Sequence, residues 1–123
     1  MATGALIAES LNLNVALERV PLEVRKITRI GPLDNVSPAQ PKVWTFIEFS
    51  VPDEQASALA EALALVLNQD LGWYCDFRTE HETFVVFGGR IFRYPRGDPS
   101  GREAAATHAR TVGVPEAQID WPE

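Results

Sequence analysis

The chain has 123 residues, of which 46% are hydrophobic and 23% charged, so we expect one α+β domain that spans residues 1–123. The formal net charge of −6 argues against nucleic-acid binding, because a protein that binds phosphates needs a basic face. The single cysteine, Cys75, excludes an internal disulfide and a zinc site built from thiolates, and the absence of a basic leader and a long apolar run predicts a cytoplasmic protein without membrane contact.

The first half of the chain predicts two strands. Residues 1–14 are weakly patterned, and they are compatible with a short helical turn or with a loosely ordered surface segment. Residues 22–30 alternate as a strand, with a slip that predicts a bulge near residues 25–26. Three prolines and a glycine in residues 31–41 predict a loop. A second strand follows over residues 43–49, where the alternation resumes.

The second half predicts two helices and three strands. A proline and two acids open a helix at about residue 53, and apolar residues at helical spacing continue it to about residue 68. A second helix is predicted over residues 99–112, with Asp98 or Ser100 as its N-cap. The strands between the helices are predicted at residues 73–78, 83–87 and 90–94, and the Gly88–Gly89 pair joins the last two as a hairpin.

The element order β-β-α-β-β-β-α predicts the fold class α+β. Short hairpin connections favour a mainly antiparallel sheet of four or five strands, with two helices packed on one face. Ile119 and Trp121 of the C-terminal tail are expected to pack on the core. The core itself is predicted to contain Leu59, Leu63, Phe84, Val86 and Phe92.

An arginine-rich segment offers a candidate anion site. Six arginines and four acids lie between Arg78 and Arg110, so this segment is net positive within an acidic chain. A helix N-terminus with free amides and cationic side chains can hold a phosphate or carboxylate. The candidate ligand-binding residues there are Arg93, Arg96, Ser100 and Arg102. Ordinary capping by Asp98 or Ser100 is the alternative.

A second candidate lies on the strand at residues 73–78. Tyr74, Asp76 and Arg78 share one face of this strand, and Arg93 is expected beside them on the last strand. The row is either a cross-strand salt bridge or the floor of a ligand pocket. Asp76 is therefore included among the ligand-binding candidates.

The histidines and the cysteine are the remaining candidates for catalysis or metal binding. His81 lies between two glutamates, but adjacent residues point in different directions, so it predicts a solvated turn rather than a metal site. Cys75 alternates with Trp73 and Phe77, which predicts a buried, unreactive thiol. His108 is predicted to be packed or half-buried. No catalytic residue, metal or cofactor is predicted.

The C-terminal two-fifths of the chain show a resemblance. The run from Gly72 to Asp98, with the later pieces GREAAATHAR and GVPEAQIDW, resembles a group of small bacterial proteins of unassigned function. The pieces RYPRGD and GVPEAQIDW are its most specific parts. The resemblance implies a bacterial cytoplasmic protein and supplies no chemistry.

Two function classes follow from these patterns. The first is a non-enzymatic interaction or binding module, acting on an unidentified protein partner, with a homodimer left open. The alternative is a protein or enzyme that binds a small anionic ligand, with a site near residues 73–78 and 90–94 and the start of the helix at residues 99–112. A cleft that contains Asp76, Arg93 or His81 would favour the small-ligand class.

Overall fold

The computed structural model describes residues 1–34 and 36–123, and one β-sheet dominates them. The elements are β1 (Ala2–Ile7), β2 (Glu23–Ile30), β3 (Trp44–Val51), α1 (Ala56–Val66), β4 (Cys75–Arg78), β5 (Glu82–Phe87), β6 (Arg90–Pro95) and α2 (Pro99–Thr111). The six strands have the spatial order β2-β3-β1-β4-β5-β6, and every neighbouring pair is antiparallel. The predicted α+β class with an antiparallel sheet is confirmed, with one strand more than expected.

The extra strand is β1, so residues 1–14 are not a loosely ordered segment, and the alternative of a short helical turn is confirmed by one 3-10 turn at Ala8–Ser10. β1 lies in the middle of the sheet and pairs with β3 on one side and β4 on the other. The neighbouring side chains leave room only for a small residue in this strand. A Cβ atom at Gly4 would lie 2.8 Å from the Cβ of Phe77 and 3.1 Å from the ring of Phe49. The position between these two rings therefore requires the smallest residue.

The expected single layer of two helices is also wrong, because α1 and α2 cover opposite faces of the sheet. Phe84 and Val86 of β5 belong to the core under α1, whereas Val85 and Phe87 belong to the core under α2. Successive side chains of a strand point to opposite faces, so this alternation places the helices on different sides. The run TFVVF is buried from end to end because both of its faces are covered.

Packing in the core follows the predicted residues closely. Leu59, Leu63, Phe84 and Val86 are all buried, and Ile119 and Trp121 of the tail are buried as well. Phe92 differs from the prediction and is half-buried against the α2 core. The predicted bulge is confirmed by a register shift between Val24 and Lys26. The predicted hairpin is confirmed by the pairing of Phe87 with Arg90.

Within the described residues, no helix has both the length and the apolar character that a membrane span requires.

Candidate ligand-binding cavity

A cavity of about 270 Å³ lies on the sheet face opposite α1. The α2 helix packs against β6 at one end of this face, so the surface over β1 and β3 is left to loops and to the chain's C-terminus. Residues 116–123, which we call the C-terminal segment, form the wall nearest α2. The lining residues are Ala5, Ile7, Ile30, Leu33, Trp44, Phe46, Gly72, Trp73, Tyr74, Asp76, Ala117, Gln118 and Asp120.

The lining is mainly apolar and aromatic. Trp44 and Trp73 are 6% and 3% exposed, and their ring centroids are 5.3 Å apart. Ala5 lies on β1, the central strand, and its small side chain leaves the space above the sheet unfilled. The indole N–H of Trp44 is fixed by the carbonyl of Pro41 at 2.8 Å. The indole N–H of Trp73, by contrast, is buried and finds no acceptor among the described residues.

Asp76 is the carboxylate in the cavity floor. It is half-buried, and no residue other than Asp76 itself donates a hydrogen bond to it within the described part of the chain. Arg78, two residues further along β4, instead donates to the Thr83 hydroxyl at 3.4 Å and to the Glu123 carbonyl at 3.1 Å. Burial and the nearby carboxylate of Asp120 raise the pKa of Asp76 to about 6. The site thus contains a carboxylate whose donor, among the described residues, is its own backbone N–H alone.

The C-terminal segment is held in place by side chains of the sheet. The Tyr74 hydroxyl donates a hydrogen bond to the Gln118 carbonyl, and its oxygen lies 3.0 Å from Oδ1 of Asp120. The Tyr94 hydroxyl donates to the Pro122 carbonyl at 3.0 Å. These bonds fix the wall that carries Asp120, and burial together with the carboxylates of Asp120 and Asp76 raises the pKa of Tyr74.

A buried glutamine joins three loops at the rim. Nε2 of Gln40 donates to the carbonyls of Leu71 and Gly72 at 2.9 and 3.2 Å. Its Oε1 accepts from Nε2 of Gln118 at 3.1 Å. The loop after β2, the loop before β4 and the C-terminal segment are therefore linked by a single side chain that is 5% exposed.

The prediction that Arg93 lies beside Asp76 is wrong. Arg93 pairs across the sheet with Phe84, whose side chain faces α1, whereas Asp76 pairs with Val85 on the opposite face. The guanidinium of Arg93 instead forms two hydrogen bonds with Glu82, at 2.6 and 2.7 Å, and one with Ser57 of α1 at 3.0 Å. These contacts join β6, β5 and α1.

The predicted anion site at the start of α2 is occupied by the protein's own groups. Asp98 is the N-cap, and its carboxylate accepts from the backbone N–H of Ser100 at 3.1 Å and from the Ser100 hydroxyl at 2.7 Å. Arg96 donates to the carbonyls of Thr79 and Glu80, both at 3.3 Å. A carboxylate at these amides repels an anion, so the capping alternative describes this segment.

Arg102 also points away from an anion site. It donates to the carbonyls of Trp121 and Ile119 at 3.1 and 3.2 Å, and its guanidinium lies over the Trp121 ring at 5.7 Å. Its function in the fold is therefore to hold the C-terminal segment. Of the predicted ligand-binding residues, Asp76 lines the cavity, while Arg93, Arg96, Ser100 and Arg102 do not.

The remaining titratable candidates lie outside the cavity. His81 is exposed beside Glu80, with 3.8 Å between Nε2 of His81 and Oε2 of Glu80. Cys75 is buried, as predicted, and burial raises the pKa of its thiol. His108 is half-buried against Phe87, with ring centroids 4.7 Å apart. The described residues contain no cluster of three or more histidine, cysteine, aspartate or glutamate side chains placed to hold a metal ion.

Most of the residues that line the cavity were not predicted from the sequence. Tyr74 and Asp76 were visible as a polar face of a strand, but Trp44, Phe46 and Asp120 belong to segments distant in sequence. The alternation of β3 did place Trp44 and Phe46 on one face of the strand. The sequence therefore indicated an aromatic face, but not which segment packs against it. Only the tertiary arrangement joins this face to Asp76.

Comparison with models of protein families, with curated proteins and with solved structures found no match for this chain.

Proposed function

We propose that this protein binds a small molecule in the cavity above Ala5, with Asp76 as the polar contact. The observation that carries the proposal is the carboxylate of Asp76, which lines an aromatic cavity and, among the described residues, accepts a hydrogen bond only from its own backbone N–H. Partial burial with a single backbone donor disfavours the ionised form of this carboxylate, and its pKa is accordingly raised. A ligand that supplies a further donor would stabilise the ionised form.

The shape of the site supports a ligand rather than a second macromolecule. Its walls come from the sheet, from two loops and from the C-terminal segment, so they surround a space instead of forming a flat face. An apolar cavity of about 150 Å³ holds a benzene molecule. The space of about 270 Å³ here therefore accepts a single ring with a short substituent, at the small end of known ligand sites.

The lining favours binding over nucleophilic catalysis. None of the described lining residues is a serine, cysteine, histidine or lysine, which are side chains that commonly form covalent intermediates with substrates. The thiol of Cys75 belongs to the α1 core on the opposite face. The proposal therefore takes up the small-ligand class, in a binding role, and replaces the anion site by this cavity.

The test is an amide NMR titration of the ¹⁵N-labelled protein with benzylamine, benzyl alcohol and benzoate, each small enough for the cavity. We expect at least one probe to shift the amides of Ala5, Trp73 and Asp76 at millimolar concentration, and to leave those of residues 96–102 unmoved. If none of the three shifts the cavity amides, the proposal is wrong.

A variant pair separates cavity binding from surface binding. Ala5→Leu fills the floor of the cavity and should abolish the shifts. Ala104→Leu adds the same atoms to an exposed position of α2 and should leave the titration unchanged. Thermal denaturation of both variants checks that they are folded. Equal binding by the wild type and Ala5→Leu would contradict the assignment of the site.

A further inference from the structure

The charges around the cavity have one sign. Asp76 lies in the floor and Asp120 in the C-terminal wall, and no described lining residue is a lysine, arginine or histidine. Arg78 and Arg102 donate to main-chain carbonyls of the C-terminal segment, and Arg78 acts on Asp76 only through its charge. The charges on the lining itself are therefore negative, which favours a cation over an anion.

From this arrangement we infer that the ligand is a protonated primary or secondary amine that carries a small apolar group. The inference rests on the proposed function, and it names the class of molecule that the cavity accepts. An ionised carboxylate accepts hydrogen bonds and donates none, so its complement is a donor, and a charged N–H donor forms the stronger bond. The ammonium group would contact Asp76, and the apolar group would lie against the aromatic walls.

The aromatic lining supports a cation as well. Trp44, Phe46, Trp73 and Tyr74 contribute four rings to the walls. The face of an aromatic ring carries partial negative charge and attracts an ammonium ion, most strongly where water is excluded. Two carboxylates and four rings thus favour the same ligand charge. The anionic ligand expected from the sequence does not fit this site.

The amine assignment also predicts how affinity depends on pH. The charged groups that act on Asp76 are Asp120 of the C-terminal segment and Arg78 of its own strand. Because the pKa of Asp76 is raised to about 6, its carboxylate is largely neutral in mildly acidic solution, whereas an alkyl ammonium stays charged there. Amine affinity should therefore rise as the pH increases through 6 and then level off.

The experiment compares the same three probes, since benzylamine, benzyl alcohol and benzoate have similar shape and differ in charge. At neutral pH we expect benzylamine to bind about tenfold or more tightly than benzyl alcohol, because the charged hydrogen bond is added, and benzoate to bind most weakly. Asp76→Asn should bring the affinities for the amine and the alcohol close together. Glu61→Gln removes one charge from the exposed side of α1 and should preserve the preference.

The outcomes distinguish the two proposals. If benzyl alcohol or benzoate binds in the cavity as tightly as benzylamine, the site is real and the amine assignment is overturned. The same conclusion follows if Asp76→Asn keeps the full preference for the amine. If no probe binds in the cavity, the proposed function itself fails. The pH titration of wild-type protein requires no variant, so it decides the case even if Asp76→Asn does not fold.

Discussion

The hydroxyl of Tyr74 donates to the main-chain carbonyl of Gln118, and this bond joins β4 to the wall of the cavity. The ring of Tyr74 also packs edge-on against Trp121, with centroids 4.9 Å apart. One side chain therefore has two separable contributions, since the ring packs in the core while the hydroxyl fixes the position of the C-terminal segment.

Tyr74→Phe should remove the second contribution alone. The Gln118 carbonyl loses its donor while the ring contact with Trp121 remains, so we expect a loss of about 1 kcal/mol in the free energy of unfolding. Urea denaturation measures this loss, and faster hydrogen exchange of the amides of residues 118–121 locates it. Affinity for benzylamine should also fall, because the cavity wall is no longer fixed.

Tyr94→Phe is the matched control for this experiment. The Tyr94 hydroxyl donates to the Pro122 carbonyl at 3.0 Å, but Tyr94 does not line the cavity. We expect a similar loss of stability and little change in amine affinity. Equal loss of affinity in both variants would mean that the whole C-terminal segment, rather than the Tyr74 bond, determines the site.

The helix α1 allows a sharp test of core packing. Leu63 is 0% exposed and Leu65 is 81% exposed, so two leucines of one helix differ in burial alone. Leu63→Ala should cost about 2–5 kcal/mol, through lost burial and the cavity left behind. Leu65→Ala should change the free energy of unfolding by less than about 0.5 kcal/mol. Similar losses in urea denaturation would show that α1 is rotated relative to the sheet.

Sequence periodicity located both helices and five of the strands, because in each an apolar pattern is repeated over several residues. It failed for β1, where Gly4 lies between the rings of Phe49 and Phe77. The small residues of this strand reflect its neighbours in space, which one sequence does not reveal. Strand propensity reflects how well a side chain packs on a pleated sheet surface. The sequence signal for a strand is therefore weak where neighbouring side chains leave room only for small residues.

The opposite-face arrangement of the helices did have a signal in the sequence. Residues 83–87 are apolar at every position, which requires cover on both faces of the strand. Two helices on one face leave the other face of such a strand in water, so the expected layering was inconsistent with this run. The cavity could not be predicted, because it depends on where the C-terminal segment crosses the sheet.

The Arg93 contacts predict a modest effect on stability and none on ligand binding. Arg93 and Glu82 form a paired hydrogen bond, but their side chains are 51% and 32% exposed. Solvent screens such pairs, so Arg93→Ala should cost no more than about 1 kcal/mol. Benzylamine affinity should match that of the wild type, since Arg93 lies on the other face of the sheet. A large loss of affinity in the NMR titration would show that Arg93 contributes to the ligand site.

The capped start of α2 predicts that this segment does not bind phosphate. Asp98→Ala should destabilise the protein modestly, because the Ser100 amide loses its acceptor. In the wild type, a phosphate titration should leave the amides of Ser100, Gly101 and Arg102 unmoved at millimolar concentration. Shifts confined to these three amides would instead support the anion site that the sequence suggested.

Asp76 predicts how stability depends on pH. Burial and the carboxylate of Asp120 raise the pKa of Asp76 from its ordinary value of 3.8 to about 6. Between these two values the folded state binds more protons than the unfolded state, so this residue makes stability fall as the pH rises. The full cost, about 2 kcal/mol after allowance for partial exposure, is present above the folded pKa. It is absent below the unfolded pKa.

Asp76→Asn removes this titration, so its stability relative to wild type measures the effect directly. The two proteins should have nearly equal free energies of unfolding at about pH 3, since Asp76 is then mostly neutral in both the folded and the unfolded protein. At pH 8, well above the folded pKa of about 6, the variant should be more stable by about 2 kcal/mol. Urea denaturation at several pH values gives the curve, with Glu61→Gln as the control for removing one carboxylate. If Asp76→Asn is less stable than the wild type at the higher pH, the Asp76 carboxylate has a donor besides its own backbone N–H in the folded protein. The poorly solvated carboxylate on which the ligand site rests would then not exist.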